Sequence, residues 1–349
     1  MRALLYDSFG VPPSVSNVPY PVAPRDGVII EVKASGLCRS DWHGWKGHDN
    51  DIRTLPHIPG HEFAGVIVET GPDVRKWRAG DRITTPFALG CGKCVYCFAG
   101  DQQVCENQFQ PGFTGPGSFA EFVALPFADL NLVRLPDEIE FVEAATLGCR
   151  FITAFRGIAA QARLGAGEWV AVYGCGGVGL SAVMIASAFG ANVIGVDVAE
   201  EKLALAREFG ASHTFNASAV PDVPEAIREL TSGGVHVSID AFGGADACRN
   251  SILSLRRRGR HIQIGLLLGD QADPSLPMGR VIAHELEIYG SHGMQAHAYP
   301  ELFAMIASGK FSLGKLIGRR ISLDEACDAL ASLGSSPGKG ITVIDRFNA

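Results

Sequence analysis

The sequence predicts an α/β chain in which a doubly wound parallel sheet is joined to a second, discontinuous and mostly β domain. Three observations predict it. Strand-like and helical segments alternate from about Gly165 to Tyr289. The stretch before them, residues 1 to about 150, is rich in Gly, Pro and short β-branched runs joined by polar turns. The tail after Gly293 is too short to fold alone and is returned to the first domain. Length agrees, since 349 residues at about 150 per domain suggests two.

Each element follows from local pattern. Val28–Val32 and Ala64–Val68 are β-branched runs and read as strands. Trp169–Tyr173 is a short apolar strand, followed by a glycine turn and a helix from Val178 to Phe189. Ala191–Asp197 is the next strand, and Glu200–Phe209 has helical spacing with Glu and Lys outside. Strands are predicted at His213–Phe215, Val235–Ala241, Arg260–Gly265 and Glu285–Tyr289. The tail reads as helices Pro300–Ser308 and Leu323–Leu333 and a final strand, Gly340–Asp345. The expected boundaries are 1–150 and 289–349 for the mostly β domain and 151–288 for the parallel sheet.

Composition narrows the partners. The chain is 47% hydrophobic and carries a net charge of −7 with no long block of one sign. Nucleic acid and anionic membranes are therefore disfavoured, because both are held by clustered Lys and Arg. No stretch approaches the roughly 20 apolar residues of a membrane span. No secretory signal is evident near Met1, and a cytoplasmic location is expected.

Gly174-Cys175-Gly176-Gly177-Val178-Gly179 matches GxGxxG, follows a predicted strand and opens a helix. Gly174 permits the tight turn, Gly176 lets the backbone approach a pyrophosphate, and Gly179 lets helix and sheet pack closely. The helix N-terminus then offers free N–H groups to the phosphates. Asp197 ends the next strand, where a carboxylate accepts ribose hydroxyls and repels a 2′-phosphate. This is a Rossmann fingerprint, and NAD is favoured over NADP. Lys202 stands near enough to contribute, or is a solvated helix residue.

Nine cysteines are the remaining oddity. Cys91, Cys94, Cys97 and Cys105 form C-x2-C-x2-C-x7-C. Four thiolates so close suit a tetrahedral zinc or an iron centre with no open position, hence a structural site. The neighbourhood is not basic, which argues against a nucleic-acid-binding ribbon. Cys38, the pair His61-Glu62 and Cys149 are each ordinary taken singly. Cys175 belongs to the glycine turn, and Cys248 and Cys327 read as buried helix residues.

Together, GLCRSD, GHEFAGVI, CGKCVYC with Cys105, Cys149 and GCGGVG strongly resemble the zinc-dependent alcohol dehydrogenases of the medium-chain dehydrogenase/reductase superfamily. The resemblance covers nearly the whole chain and is nearest the shorter, bacterial and yeast-type members. It implies a GroES-like catalytic domain carrying a structural zinc lobe at 90–106. It also implies two zinc ions per chain. Cys38, His61 and Cys149 would hold the catalytic one, and the four clustered cysteines the structural one. The implied activity is NAD-dependent oxidation of a primary or secondary alcohol to an aldehyde or ketone, and the reverse, by hydride transfer from a zinc-bound alkoxide.

The same resemblance assigns roles to neighbours. Ser40 and His43 match a proton relay, with His48 as substitute should His43 point elsewhere. Asp41 matches a carboxylate that orients the histidine ligand. Glu62 matches a carboxylate that some members use as a transient ligand. Arg39 matches a pyrophosphate contact, and Thr153, Gly177 and Val178 join the cofactor-binding set. Trp45 and Phe87 match pocket-lining aromatics, with core packing as the alternative for each. A homotetramer is implied. Two alternatives remain: a polyol or sugar-alcohol dehydrogenase, against which Cys149 argues, and a non-catalytic dinucleotide-binding protein, against which Cys38, His61 and Ser40 argue.

Overall fold

The computed structural model describes residues 1–334 and 338–348. The chain divides into two compact units: Met1–Ile152 with Gly293–Ala307 and Ser312–Ala349, and Thr153–His292 with Ser308–Phe311.

The second unit is a six-stranded, all-parallel sheet. Its strands in chain order are Trp169–Tyr173, Asn192–Asp197, His213–Asn216, Val235–Asp240, Leu255–Gln263 and Glu287–Gly290. Their spatial order is third, second, first, fourth, fifth, sixth, the doubly wound order of dinucleotide-binding sheets. The first strand is apolar throughout because helices cover both faces of a parallel sheet. Ala171, Ile194, Val196, Ile227 and Ile252 are buried together in its core. The order reverses between the first and fourth strands, and the glycine turn follows the first.

In the other unit the principal sheet runs Ile317–Ser322, Ile341–Arg346, Val28–Leu37, Glu62–Thr70, Arg82–Thr84, Val133–Arg134, with Phe122–Leu125 also paired to Val28–Leu37. All its pairings are antiparallel except that between the first two strands. Val28–Leu37 is buried along most of its length. Leu4, Tyr6, Ile30, Phe63, Phe119 and Leu125 fill the core beside it.

Two differences from expectation concern strands. The tail holds a strand, Ile317–Ser322, that the sequence reading missed. Its IGRRIS sequence places three exposed residues in succession, so no alternation marks it. The fifth strand of the parallel sheet begins at Leu255, not Arg260. Arg256–Arg258 face solvent there, and a run of like charge hides a strand from hydrophobicity.

Candidate active site

Cys38 ends the strand Val28–Leu37 and caps the helix Arg39–Trp45. Asp41, in the first turn, accepts the Cys38 N–H at 2.9 Å through Oδ2. Its other oxygen accepts the Gly60 N–H at 3.1 Å and lies 2.8 Å from His61 Nδ1. One buried carboxylate therefore ties the helix start to the segment that enters the strand Glu62–Thr70. Gly60 has φ +105°, and a Cβ there would lie 2.5 Å from the Phe119 ring, so no larger residue fits.

With Nδ1 directed at Asp41, His61 is left with Nε2 fully buried and without a hydrogen-bond partner. A buried polar atom without a partner is costly. Here its neighbours are two sulfurs: the ligand atoms of Cys38, His61 and Cys149 all lie within 4.8 Å of one another. Sharing a proton with Cys149 holds the Cys38 thiol well below its ordinary range and the Cys149 thiol well above it. A soft divalent cation suits this donor set, replacing the shared proton and meeting the imidazole lone pair.

Cys149 sits in a π-helical turn, Leu147–Phe151, a geometry often found at functional sites. The turn is pinned from two sides. Phe87 N–H donates to the Gly148 carbonyl at 2.9 Å, and a Cβ on Gly148 would lie 3.1 Å from Glu62 Cα. Arg150, next in the chain, is the residue the sequence reading overlooked. Its backbone N–H donates to Glu62 Oε1 at 2.7 Å, its Nε to Oε2 at 2.8 Å, and its Nη1 to the Leu37 carbonyl at 3.0 Å. Glu62 and Arg150 are both buried, and the guanidinium also contacts Oε2 through Nη2. Arg150 thereby joins the strand ends that carry Cys38 and His61 to the turn that carries Cys149.

Ser40 Oγ lies 3.8 Å from Cys38 Sγ. His43, one helical turn on, has its Nδ1 3.0 Å from Nδ1 of His48. The two histidines are thus hydrogen-bond partners. Burial first, then Arg39 and His48, push the His43 imidazole down to about 4. Arg39 is exposed, 6.0 Å above the Trp42 ring.

The two candidate aromatics separate. Phe87 stands edge-on to His61 at 6.1 Å. Trp45 instead belongs to the core, with its indole N–H donated to the Val11 carbonyl at 2.6 Å. The pocket reading of Trp45 is corrected accordingly: its hydrogen bond and its burial point it inward. Phe113, unforeseen, lies 5.0 Å from the His61 ring. It also lines a cavity of about 660 Å³ bordered by Asp51, Arg53, His57 and Glu106.

The second cysteine set is equally compact. The four sulfurs of Cys91, Cys94, Cys97 and Cys105 lie within 4.8 Å of one another. Backbone N–H groups already point at them: Cys91 and Asn107 donate to Cys105 Sγ at 3.3 Å, and Lys93 to Cys91 Sγ at 3.4 Å. Donors aimed at sulfur favour thiolates, which fits a metal held by four of them. Asn131 fixes the entry to the lobe by exchanging two hydrogen bonds with Gly90. All nine cysteines are free thiols. Cys175 and Cys248 are buried, and Cys327 is only half-buried because its helix meets solvent on one side.

In the parallel-sheet unit, Gly174 has φ +89°, and a Cβ on Gly179 would lie 1.7 Å from the Gly174 carbonyl oxygen. Beside Gly176 there is open space instead, with nothing within 4 Å of a Cβ. Gly177 and Val178 open the helix Gly177–Ala188. Asp197 accepts Cys175 N–H at 2.8 Å on one oxygen and Val198 and Ala199 N–H at 2.8 and 3.0 Å on the other. Lys202 Nζ is 3.8 Å from that second oxygen. Thr153 is buried at the start of the unit, its carbonyl accepting Ser291 Oγ–H at 3.0 Å. A tight turn, an open backbone and an anchored carboxylate fit a dinucleotide.

Residues 24–137 match the family model of the alcohol dehydrogenase GroES-like domain, and residues 177–308 that of the zinc-binding dehydrogenases. An alcohol dehydrogenase of Geobacillus stearothermophilus is 34% identical over 311 residues, covering 89% of this chain and 90% of the relative. An NAD-dependent alcohol dehydrogenase of Sulfurisphaera tokodaii is 30% identical over 344 residues, 95% and 96% of the two chains. A zinc-binding dehydrogenase from Sinorhizobium meliloti 1021, solved bound to NADP, superposes with a TM-score of 0.89 at 31% identity, covering 99% of this chain and 98% of that one.

Proposed function

Since the chain belongs to the zinc-dependent alcohol dehydrogenases of the medium-chain dehydrogenase/reductase superfamily, we propose how its own residues divide the work. It is an NAD-dependent oxidoreductase that interconverts alcohols with aldehydes or ketones. The observation that carries the site assignment is the orphaned Nε2 of His61 beside two thiols. Cys38, His61 and Cys149 hold a catalytic zinc, and Cys91, Cys94, Cys97 and Cys105 a structural one, two per chain.

Bound at the first site, zinc supplies Lewis acidity that eases loss of the alcohol proton and polarises a carbonyl in the reverse direction. NAD supplies the hydride acceptor. Asp41 fixes the His61 tautomer and ring plane. Ser40 receives the alcohol proton by hydrogen bond, and His43, on the same helix face, takes it onward. Glu62 acts by holding Arg150, and so Cys149, in place. Both carboxylate oxygens accept from Arg150, so serving as a transient ligand would require Glu62 to loosen these bonds. The same bonds disfavour a polyol dehydrogenase that relies on a carboxylate ligand.

Gly174, Gly176, Gly177, Val178 and Gly179 cradle the pyrophosphate, with Thr153 of the same unit adding a contact. Asp197 accepts the adenosine ribose hydroxyls, Lys202 beside it, and disfavours the extra phosphate of NADP. Phe87 and Phe113 wall the reacting end of the pocket, which favours apolar primary or secondary alcohols. A homotetramer in the cytoplasm is the assembly and location that we assign by family likeness.

Steady-state rates against primary, secondary, aromatic and polyol substrates with both coenzymes test this. Turnover greatest with apolar alcohols and NAD is expected. Preference for polyols would overturn the pocket assignment.

A further inference from the structure

His43 and His48 form a connected pair. Their Nδ1 atoms are 3.0 Å apart, which requires one proton between them, one ring donating and the other accepting. The backbone reinforces the approach, since His48 N–H donates to the His43 carbonyl at 3.0 Å. Both rings stand edge-on to Trp42, at centroid distances of 5.0 and 5.7 Å. The Trp42 indole therefore packs against both rings. His43 is half-buried, and His48 is exposed. The pair runs from the helix face that carries Ser40 out to water.

We propose that His48 is the outlet through which a proton accepted by His43 reaches solvent. The proposal rests on the reading of His43 as the relay acceptor. A proton arriving at Nε2 of His43 forms an N–H bond there. The Nδ1–H bond of His43 breaks, and that proton forms the Nδ1–H bond of His48. His43 is left neutral in its other tautomer. His48, now an imidazolium, releases its Nε2 proton to water or a buffer base. No electrons change hands, and one proton leaves the site. Carbonyl reduction runs the same hops backwards, and between successive oxidations the two rings part and each exchanges one proton with water, losing it from one ring nitrogen and gaining it on the other, which restores the starting tautomers.

The charges around the pair favour export. Arg39, on the same helix, and His48 oppose a positive charge on His43, and Cys38 favours it. Lys46 lies 6.0 Å over Trp42 and 4.3 Å over Trp45. Asp49 follows His48 directly. The helix Glu325–Ser332, packed on Arg39–Trp45, brings Glu325, which is paired with Arg319 and Arg346, and Asp328. A ring that binds its proton weakly passes it on and does not store it.

The test uses zinc-loaded wild type, His48→Ala, His48→Gln and His43→Gln. Single-turnover NADH formation and proton release, read with a pH indicator, are followed at low buffer from about pH 6 to about pH 9. Both His48 variants are expected to slow both signals about tenfold, with KM altered less than about twofold. Added imidazole should restore most of the rate, because a small base substitutes for a proton acceptor and not for a structural contact. Wild-type rates in the His48 variants, or a loss that imidazole does not restore, would overturn the proposal. If His43→Gln turns over at the wild-type rate, the relay reading beneath it fails. If His43→Gln is slow while His48→Ala is not, His43 keeps its role and His48 loses this one.

Discussion

Asp41 and His61 meet at 2.8 Å with both side chains wholly buried, and the same carboxylate also holds Cys38 and Gly60 through their N–H groups. Replacing Asp41 with Asn removes the anionic acceptor from Nδ1 and frees the ring to take the wrong tautomer. Zinc affinity at the dispersed site should fall about 10- to 100-fold, measured by competition with a chromogenic chelator. Unchanged affinity would show that His61 is oriented by packing alone.

Metal content separates the two cysteine sets. Wild type is expected to hold two zinc ions per chain by elemental analysis, and Cys149→Ala and Cys94→Ala one each. Cys149→Ala should abolish turnover while the melting temperature changes little. Cys94→Ala should mainly lower the melting temperature, because a closed four-thiolate site contributes folding energy and not chemistry. The reverse pattern would mean that the structural and catalytic sites have been exchanged.

The role proposed for Asp197 is tested by coenzyme choice. Wild type should use NAD with a kcat/KM at least about tenfold above that for NADP. Asp197→Ser should lower kcat/KM for NAD about 10- to 100-fold, the loss of one or two charged hydrogen bonds, with a much smaller change for NADP. Equal kcat/KM for both coenzymes in the wild type would remove the discriminating role.

His261, buried in the parallel-sheet unit between Ser238, Ser251 and Gln263, links stability to acid. Burial pushes its pKa down to about 4, whereas an unfolded chain binds the proton near pH 6.5. The unfolded state therefore holds more protons between these values, and stability falls as pH drops from about 6.5 to about 4. The full loss is on the order of 3 kcal/mol. His261→Asn should flatten that part of the urea-denaturation stability profile, whatever its cost at neutral pH. An unchanged slope would show that other groups cause the acid loss.

Legibility followed from spacing and chemistry. The glycine turn, its strand and helix, and Asp197 lie close in sequence and impose local constraints, so they could be read with their purpose. The four-cysteine lobe was legible for the same reason. Cys38, His61 and Cys149 were not, since 88 residues of chain separate Glu62 from Arg150, whose contact closes the site. Only family likeness joined them. Arg150 and Phe113 were invisible because a buried arginine and a pocket phenylalanine look in sequence like a surface charge and a core aromatic. Trp45, for which pocket lining and core packing both stood open, packs in the core with its N–H on the Val11 carbonyl.

The strand Ile341–Arg346 pairs Thr342 with Leu37 and Val343 with Gly36, which sets a timetable for biosynthesis. The sheet edge beside Cys38 stays open until the ribosome has delivered residues some three hundred positions later. By then the four-thiol lobe, finished at Cys105, has long been available to fold, and all six strands of the parallel sheet have been made. The four-thiol lobe can thus fold early, whereas the frame beside Cys38 closes only once Ile341–Arg346 has been made.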